Sequence, residues 1–252
     1  MIRIHLLPPL LCLFVAATLS AQQRPLLTED PRLITEGQLV TETGFGYFNR
    51  ARFPVNAVGG NLLSILDGGF HFGLGSRAEF QITGTLRNYL WVKEGGTGQR
   101  NDWGDGLMST KIAIVKGSGK LPDITFRPTI VLPNSSNESI GKDGTDFFGS
   151  LLIGKSVSRA YIFGSIGLGI LDDAVRVSAQ QDVLTYGIAA IAPVTASLNI
   201  ALELNGFENP QSNPTPGGED RAQTRFGIQV EALGLRWDVG GTVGLTDVDH
   251  RV

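Results

Sequence analysis

After residue 36 the chain falls into segments that alternate apolar and polar residues, and the connectors joining them are alternately long and short. The long connectors are polar and lie at 49–60, 93–102, 134–145, 172–182 and 208–222. The short ones lie at 73–76, 116–122, 156–159, 193–195 and 232–234. A meander with tight turns at one end and long loops at the other is the threading of a transmembrane β-barrel. The clearest segment begins at Arg77. Arg77, Glu79, Gln81, Thr83, Thr85 and Arg87 share one phase; Ala78, Phe80, Ile82, Gly84, Leu86 and Leu90 share the other, broken only by Asn88. Successive side chains of a strand point to opposite faces, so one face reads as polar and the other as greasy. The same alternation recurs at 124–130, 196–205, 223–231 and 235–243.

A soluble sandwich would bury the apolar phase; a barrel in lipid would turn it outward. Three features predict the second arrangement. The segments run mostly 10–14 residues, whereas soluble strands are commonly about 5–6 and a tilted membrane strand needs about 9–11. Aromatics gather at segment ends: Tyr47, Phe48, Tyr89, Trp91, Trp103, Phe147, Phe148 and Phe207 toward the long loops, and Phe70, Phe72, Phe80, Phe126, Tyr161, Phe163 and Trp237 toward the short turns. Two such girdles mark the interfaces of membrane barrels. The connectors, finally, alternate in length without exception.

The expected fold is therefore all-β, an antiparallel up-and-down transmembrane β-barrel over 37–252. Eleven strands start near residues 37, 61, 77, 104, 122, 146, 160, 183, 196, 222 and 235. Bacterial barrels usually have an even number, so twelve are expected: either the last one is missing from this sequence, which is the favoured reading, or one of the eleven segments is really two or none. Residues 1–21 read as a signal peptide: Arg3 and His5, an apolar stretch from Leu6 to Leu19, then Ser20-Ala21. Cys12, the only cysteine, lies inside it, which leaves no disulfide to the exported chain. Residues 22–36, with Pro25 and Asp30-Pro31, read as a periplasmic lead-in with little regular structure. A net charge of −3 gives no basic surface for nucleic acid.

The chemistry-bearing motifs are few. Gly149 to Ser156 fits the phosphate-loop pattern G-x-x-x-x-G-K-S, but its interior, Ser-Leu-Leu-Ile, is strand sequence with no helix to follow. His5, His71 and His250 form no cluster with metal-ligand spacing, so no metal or other cofactor is expected. His71, on the polar phase with Asn61 and Asp67, is the one candidate base for a barrel enzyme acting on lipid or ester. No enzymatic activity is expected on balance. The informative residues are those of the polar phases. Glu42, Asp67, Arg77, Glu79, Arg87, Lys111, Arg127, Glu203, Asn205, Arg225 and Arg236 are the candidate pore-lining set. Their interleaved signs permit ion pairs that either stiffen the interior or shape a path through it.

Three stretches carry a resemblance to a known family. They are Gly104-Asp105 opening a strand that reaches Lys111, Leu132-Pro133 before a loop with Gly141, Gly144 and Asp146, and Glu203-Leu204-Asn205-Gly206 closing a strand. Over roughly residues 37–245 the chain resembles the outer-membrane family named for a MetA pathway of phenol degradation. Leu132-Pro133-Asn134-Ser135 departs from the family's Pro-Thr-Gly. The resemblance implies a barrel and, by association, passage of small aromatic or apolar molecules. The expectation is thus a monomer in outer-membrane lipid serving as a channel for small solutes. The alternatives are the barrel enzyme and a structural or adhesion barrel whose loops carry the function.

Overall fold

The computed structural model describes residues 26–133, 140–142, 144–176 and 179–246. The expected signal peptide, the loop at 134–139 and most of the polar tail lie outside the described residues. Twelve strands form one antiparallel sheet: β1 (Leu39–Phe53), β2 (Val58–Gly75), β3 (Ala78–Glu94), β4 (Gln99–Asp102), β5 (Gly106–Val115), β6 (Asp123–Leu132), β7 (Asp146–Val157), β8 (Ala160–Asp172), β9 (Gln180–Pro193), β10 (Leu198–Glu208), β11 (Arg221–Ala232) and β12 (Leu235–Gly244). Each strand pairs with the next in sequence, except that β3 pairs both β4 and β5. The eleven strands expected from the alternation are thus all present in order. The twelfth element, β4, comes from the connector at 93–102, where β3 runs on and folds back as a small hairpin.

The sheet curls into a half-barrel of up-and-down topology, and its burial is inside out. On the convex face Phe70 is 56% exposed and Leu202 58%, and Ile82, Ile188, Phe226 and Val239 are exposed as well. On the concave face Glu79 and Lys111 are 0% exposed, and Gln81, Glu203 and Gln229 are buried. Among the described residues the buried apolar clusters are small. Leu26, Tyr161, Phe163, Ala189 and Ala201 form one, and Ala51, Val58, Leu62, Leu90 and Ile140 another near the long loops. Tyr161, Phe163, Phe48 and Phe207 therefore do not belong to the aromatic girdles expected of them: all four lie on the inner face, the rings of Tyr161 and Phe163 5.7 Å apart.

One irregularity resets the phase of two strands. In the β1–β2 ladder Gly44 pairs Asp67 and Phe45 pairs Ile65, so Leu66 is an extra residue, and its φ of 51° is left-handed. A bulge of this kind swaps the faces on either side of it. On the short-turn side Asp67 and His71 point inward; on the long-loop side Ser64 and Leu62 do. Asn61 accordingly lies outside the concave face, where its Nδ2 donates to Tyr47 Oη at 2.7 Å. β3 follows its neighbour, so Asn88 turns inward to Ser64 (2.7 Å) and Leu90 becomes fully buried.

Among the described residues the border strands β1 and β12 pair on one side only. Both start at the short-turn end and run toward the long loops, a consequence of the odd number of strands along the sheet.

Candidate functional site

The segment before β1 does not hang away from the sheet. Residues 26–36 carry no regular structure, as expected of the lead-in, but Leu26, Thr28, Asp30, Pro31 and Ile34 are buried against the concave face. This strap starts beside β2, where Gly37 N donates to Gly73 O at 2.9 Å, and crosses to the opposite wall. Ile34 N donates to Glu79 Oε2 (2.7 Å) on β3. Lys111 Nζ on β5 donates to Arg32 O (2.6 Å), and Thr125 Oγ1 on β6 to Pro31 O (2.6 Å). On β8 the Arg32 guanidinium stacks 3.8 Å above the Tyr161 ring. The crossing ends at β10. There Glu203 accepts from Leu27 N (2.8 Å), from Thr28 N and from Thr28 Oγ1 (2.5 Å).

An unstructured chain inside a sheet must find partners for its backbone groups, and the inward polar residues supply them. Two glycines make room for it. A Cβ at Gly154 would lie 2.7 Å from Pro31 Cγ, and one at Gly187 2.3 Å from Thr28 Oγ1. Within the strap Asp30 accepts two bonds from Arg32 Nε (3.0 and 2.9 Å). Burial pushes the Asp30 carboxyl above the usual carboxylate range, against the pull of Arg32.

Around the strap lies a compact ionic cluster. Lys111 Nζ is 3.6 Å from both Glu79 and Glu29, and Arg127 Nη2 is 3.9 Å from Glu29. Gln81 bridges them, donating to Glu29 (3.0 Å) and Glu79 (2.7 Å) and accepting from Arg127 Nε (3.0 Å). His71 closes the cluster, its Nε2 3.3 Å from Glu42 and its Nδ1 3.6 Å from Glu79. A cavity of about 440 Å³ opens beside the strap at the short-turn end, between Pro31, Ile34, Ala113 and Thr125.

Of the residues named from sequence as pore-lining, Glu42, Glu79, Lys111, Arg127 and Glu203 converge on the strap or on the cluster around it. Asp67 accepts from Thr85 Oγ1 (3.2 Å) on the same inner face. Asn205 faces Gln223, whose Nε2 donates to its Oδ1 at 3.0 Å, and Arg225 stands across the ladder from Glu203. Arg236 pairs with Asp238 at 2.9 Å on β12. Arg77 sits at the short-turn rim, reaching the carbonyls of Ala113 (3.5 Å) and Ile114 (3.4 Å). Arg87 departs from the set. It shares a rung with Ile65 and, through it, with Phe45, which is 78% exposed, so the bulge has turned it to the convex face. There it bonds Asn101 and lies 5.4 Å from the Trp103 ring.

The phosphate-loop look-alike is strand throughout, since Gly149 to Ser156 lie within β7. Among the described residues no group of His, Cys, Asp or Glu could hold a metal ion. Nor is any helix among them long and apolar enough to cross a membrane, which says nothing of crossing by strands. The residues that sequence reasoning missed are Thr28, Glu29, Asp30, Pro31 and Arg32. A signal was there, in a polar tract with two carboxylates and an arginine just upstream of a strand series whose interior needed counter-charges. No known family model matches the chain, and no curated protein is similar to it.

Proposed function

We propose that the chain is an outer-membrane β-barrel protein that passes small solutes, with its N-terminal strap obstructing the short-turn half of the path. The observation that carries this is the inverted burial: aliphatic and aromatic side chains cover the convex face while Glu79, Lys111 and Glu203 are buried on the concave one. In water so large an apolar surface would call for a covering partner. In hydrocarbon it needs none, and a sheet satisfies its own backbone groups between paired strands. The mixed-sign interior suits a wet path that selects by charge and size. Kinship with the phenol-degradation family, suggested by Gly104-Asp105, Leu132-Pro133 and Glu203-Leu204-Asn205-Gly206, points to small aromatic or apolar solutes.

Planar-bilayer recording tests the proposal. Full-length protein is expected to conduct weakly and intermittently, and a chain lacking residues 26–36 to conduct steadily. Silence from both chains, each inserted and folded, would refute a path and favour the structural-barrel reading, which the density of strap bonds makes the second choice. Against a barrel hydrolase stands the setting of His71, whose ring nitrogens both face carboxylates rather than a hydroxyl to activate.

A further inference from the structure

The strap and ionic cluster occupy the short-turn half of the concave face; the inner wall of β10 and β11 beyond Glu203 is organised differently. Its register sets three inward rungs: Glu203 opposite Arg225, Asn205 opposite Gln223, and Phe207 opposite Arg221. Cross-strand partners share a face, so these six side chains form one patch. Nearly every polar head in it is a hydrogen-bond donor. Glu203 is the only acid on these rungs, and its oxygens already accept from Leu27 and Thr28. Asn205 Oδ1 accepts from Gln223 Nε2 (3.0 Å), which fixes the amide plane and leaves Nδ2 as its donor end.

Two of these donors have no acceptor. Asn205 is 9% exposed, and its Nδ2 is a buried atom without a partner. Arg221 Nε is in the same condition, while the guanidinium lies 5.9 Å from the Phe207 ring. A buried donor left unmatched is costly, so two of them on adjacent inward rungs, beside a second cation, Arg225, constitute a demand for an acceptor. The acceptor that fits a guanidinium and an amide N–H together is a carboxylate, whose two oxygens take two donors in one plane. Phe207 offers a flat apolar surface for the body of the same molecule.

We infer that this wall is a binding subsite for a small carboxylate, held by Arg221 and Asn205 with its apolar body against Phe207. The inference deepens the solute-passing proposal by naming the solute's charge, and its test does not depend on transport. Full-length protein in detergent micelles is titrated calorimetrically with benzoate, with benzyl alcohol and with inorganic phosphate. Benzoate is expected to bind saturably and more weakly as salt is raised; benzyl alcohol and phosphate are expected to bind at least tenfold more weakly. Asn205→Asp and Arg221→Met should each weaken benzoate at least tenfold, whereas Arg159→Met, on an exposed turn, should leave it unchanged. Far-UV circular dichroism of each variant confirms that the sheet is intact. Should Asn205→Asp fail to fold, Arg221→Met alone decides. Equal affinity for benzoate and benzyl alcohol, or unaltered benzoate affinity in folded variants, overturns the subsite. Phosphate binding as tight as benzoate overturns the carboxylate assignment. Conductance without benzoate binding would defeat the subsite alone, and benzoate binding in a non-conducting barrel would defeat the channel alone.

Discussion

Glu203 is the latch that holds the Leu27–Thr28 stretch of the strap, and replacing it with glutamine puts a number on that role. The carboxylate accepts from Leu27 N, Thr28 N and Thr28 Oγ1. An amide oxygen in the Oε1 place still serves both Thr28 donors, so the Leu27 bond goes outright and the two Thr28 bonds lose their charge. Hydrogen bonds to a charged group are worth about 1.5–3 kcal/mol and neutral ones about 0.5–1.5 kcal/mol, so at the lower charged value one bond is lost and two are weakened by about 0.7 kcal/mol each. The loss is then about 3 kcal/mol, a shift in the docking equilibrium of roughly 100-fold at about 1.4 kcal/mol per factor of ten. The reporter is Leu26→Cys, a buried position packed with Tyr161 and Phe163, in a chain whose only native cysteine, Cys12, is replaced by serine. Maleimide labelling through transient opening follows the open population when reclosing is fast. It should therefore run about 100-fold faster in the Glu203→Gln background. A change of less than threefold would mean that the strap is held elsewhere and that Glu203 is no latch.

Three further outcomes follow from the same geometry. Leu202→Arg, on the convex face, should cost about 2–4 kcal/mol when the chain refolds into lipid vesicles, read from urea titration; a neutral effect would argue against lipid on that face. Lys111→Met removes the cation that Glu79 and Glu29 share and should destabilise the fold by about 3–5 kcal/mol. Adding Glu79→Gln should recover part of that loss, and a double-mutant cycle with additive costs would exclude the coupling. Deleting Leu66 removes the bulge and should force the Ser64–Asn88 pair onto the convex face. Cysteine at Ser64 should then label from lipid-soluble reagents, and unchanged labelling would show that the phase is set otherwise.

The strand series was legible because side-chain alternation and connector length are local properties, and a two-residue period survives any curvature of the sheet. All eleven segments from 37 to 245 were found by it within three residues of their starts. The alternation failed where the period itself changes. Nothing around Leu66 announces a left-handed residue, so Arg87 and Asn61 were placed one face away from where the bulge puts them. The inward residues Glu79, Lys111 and Glu203 stood out because charge on a regular phase is costly unless it is partnered. Their partners did not, since a strap with no period of its own bonds the wall through its main chain, and backbone carbonyls such as those of Pro31 and Arg32 look alike in every sequence. Tyr161 and Phe163 were misread for a related reason: an aromatic near a strand end fits an interfacial girdle or an interior packing post equally well, and only the position of Leu26 decides between them.

The rims of the sheet carry a constraint of direction. β1 and β12 both climb from the turn end to the loop end, so joining them edge to edge would create a single parallel seam in an otherwise antiparallel cylinder. An interposed strand running downward would match both rims at once, and two interposed strands would bring back the mismatch. Hydrocarbon offers no hydrogen bonds to a bare rim. Whatever meets these edges in a membrane must therefore either accept a parallel seam or come as an odd number of strands.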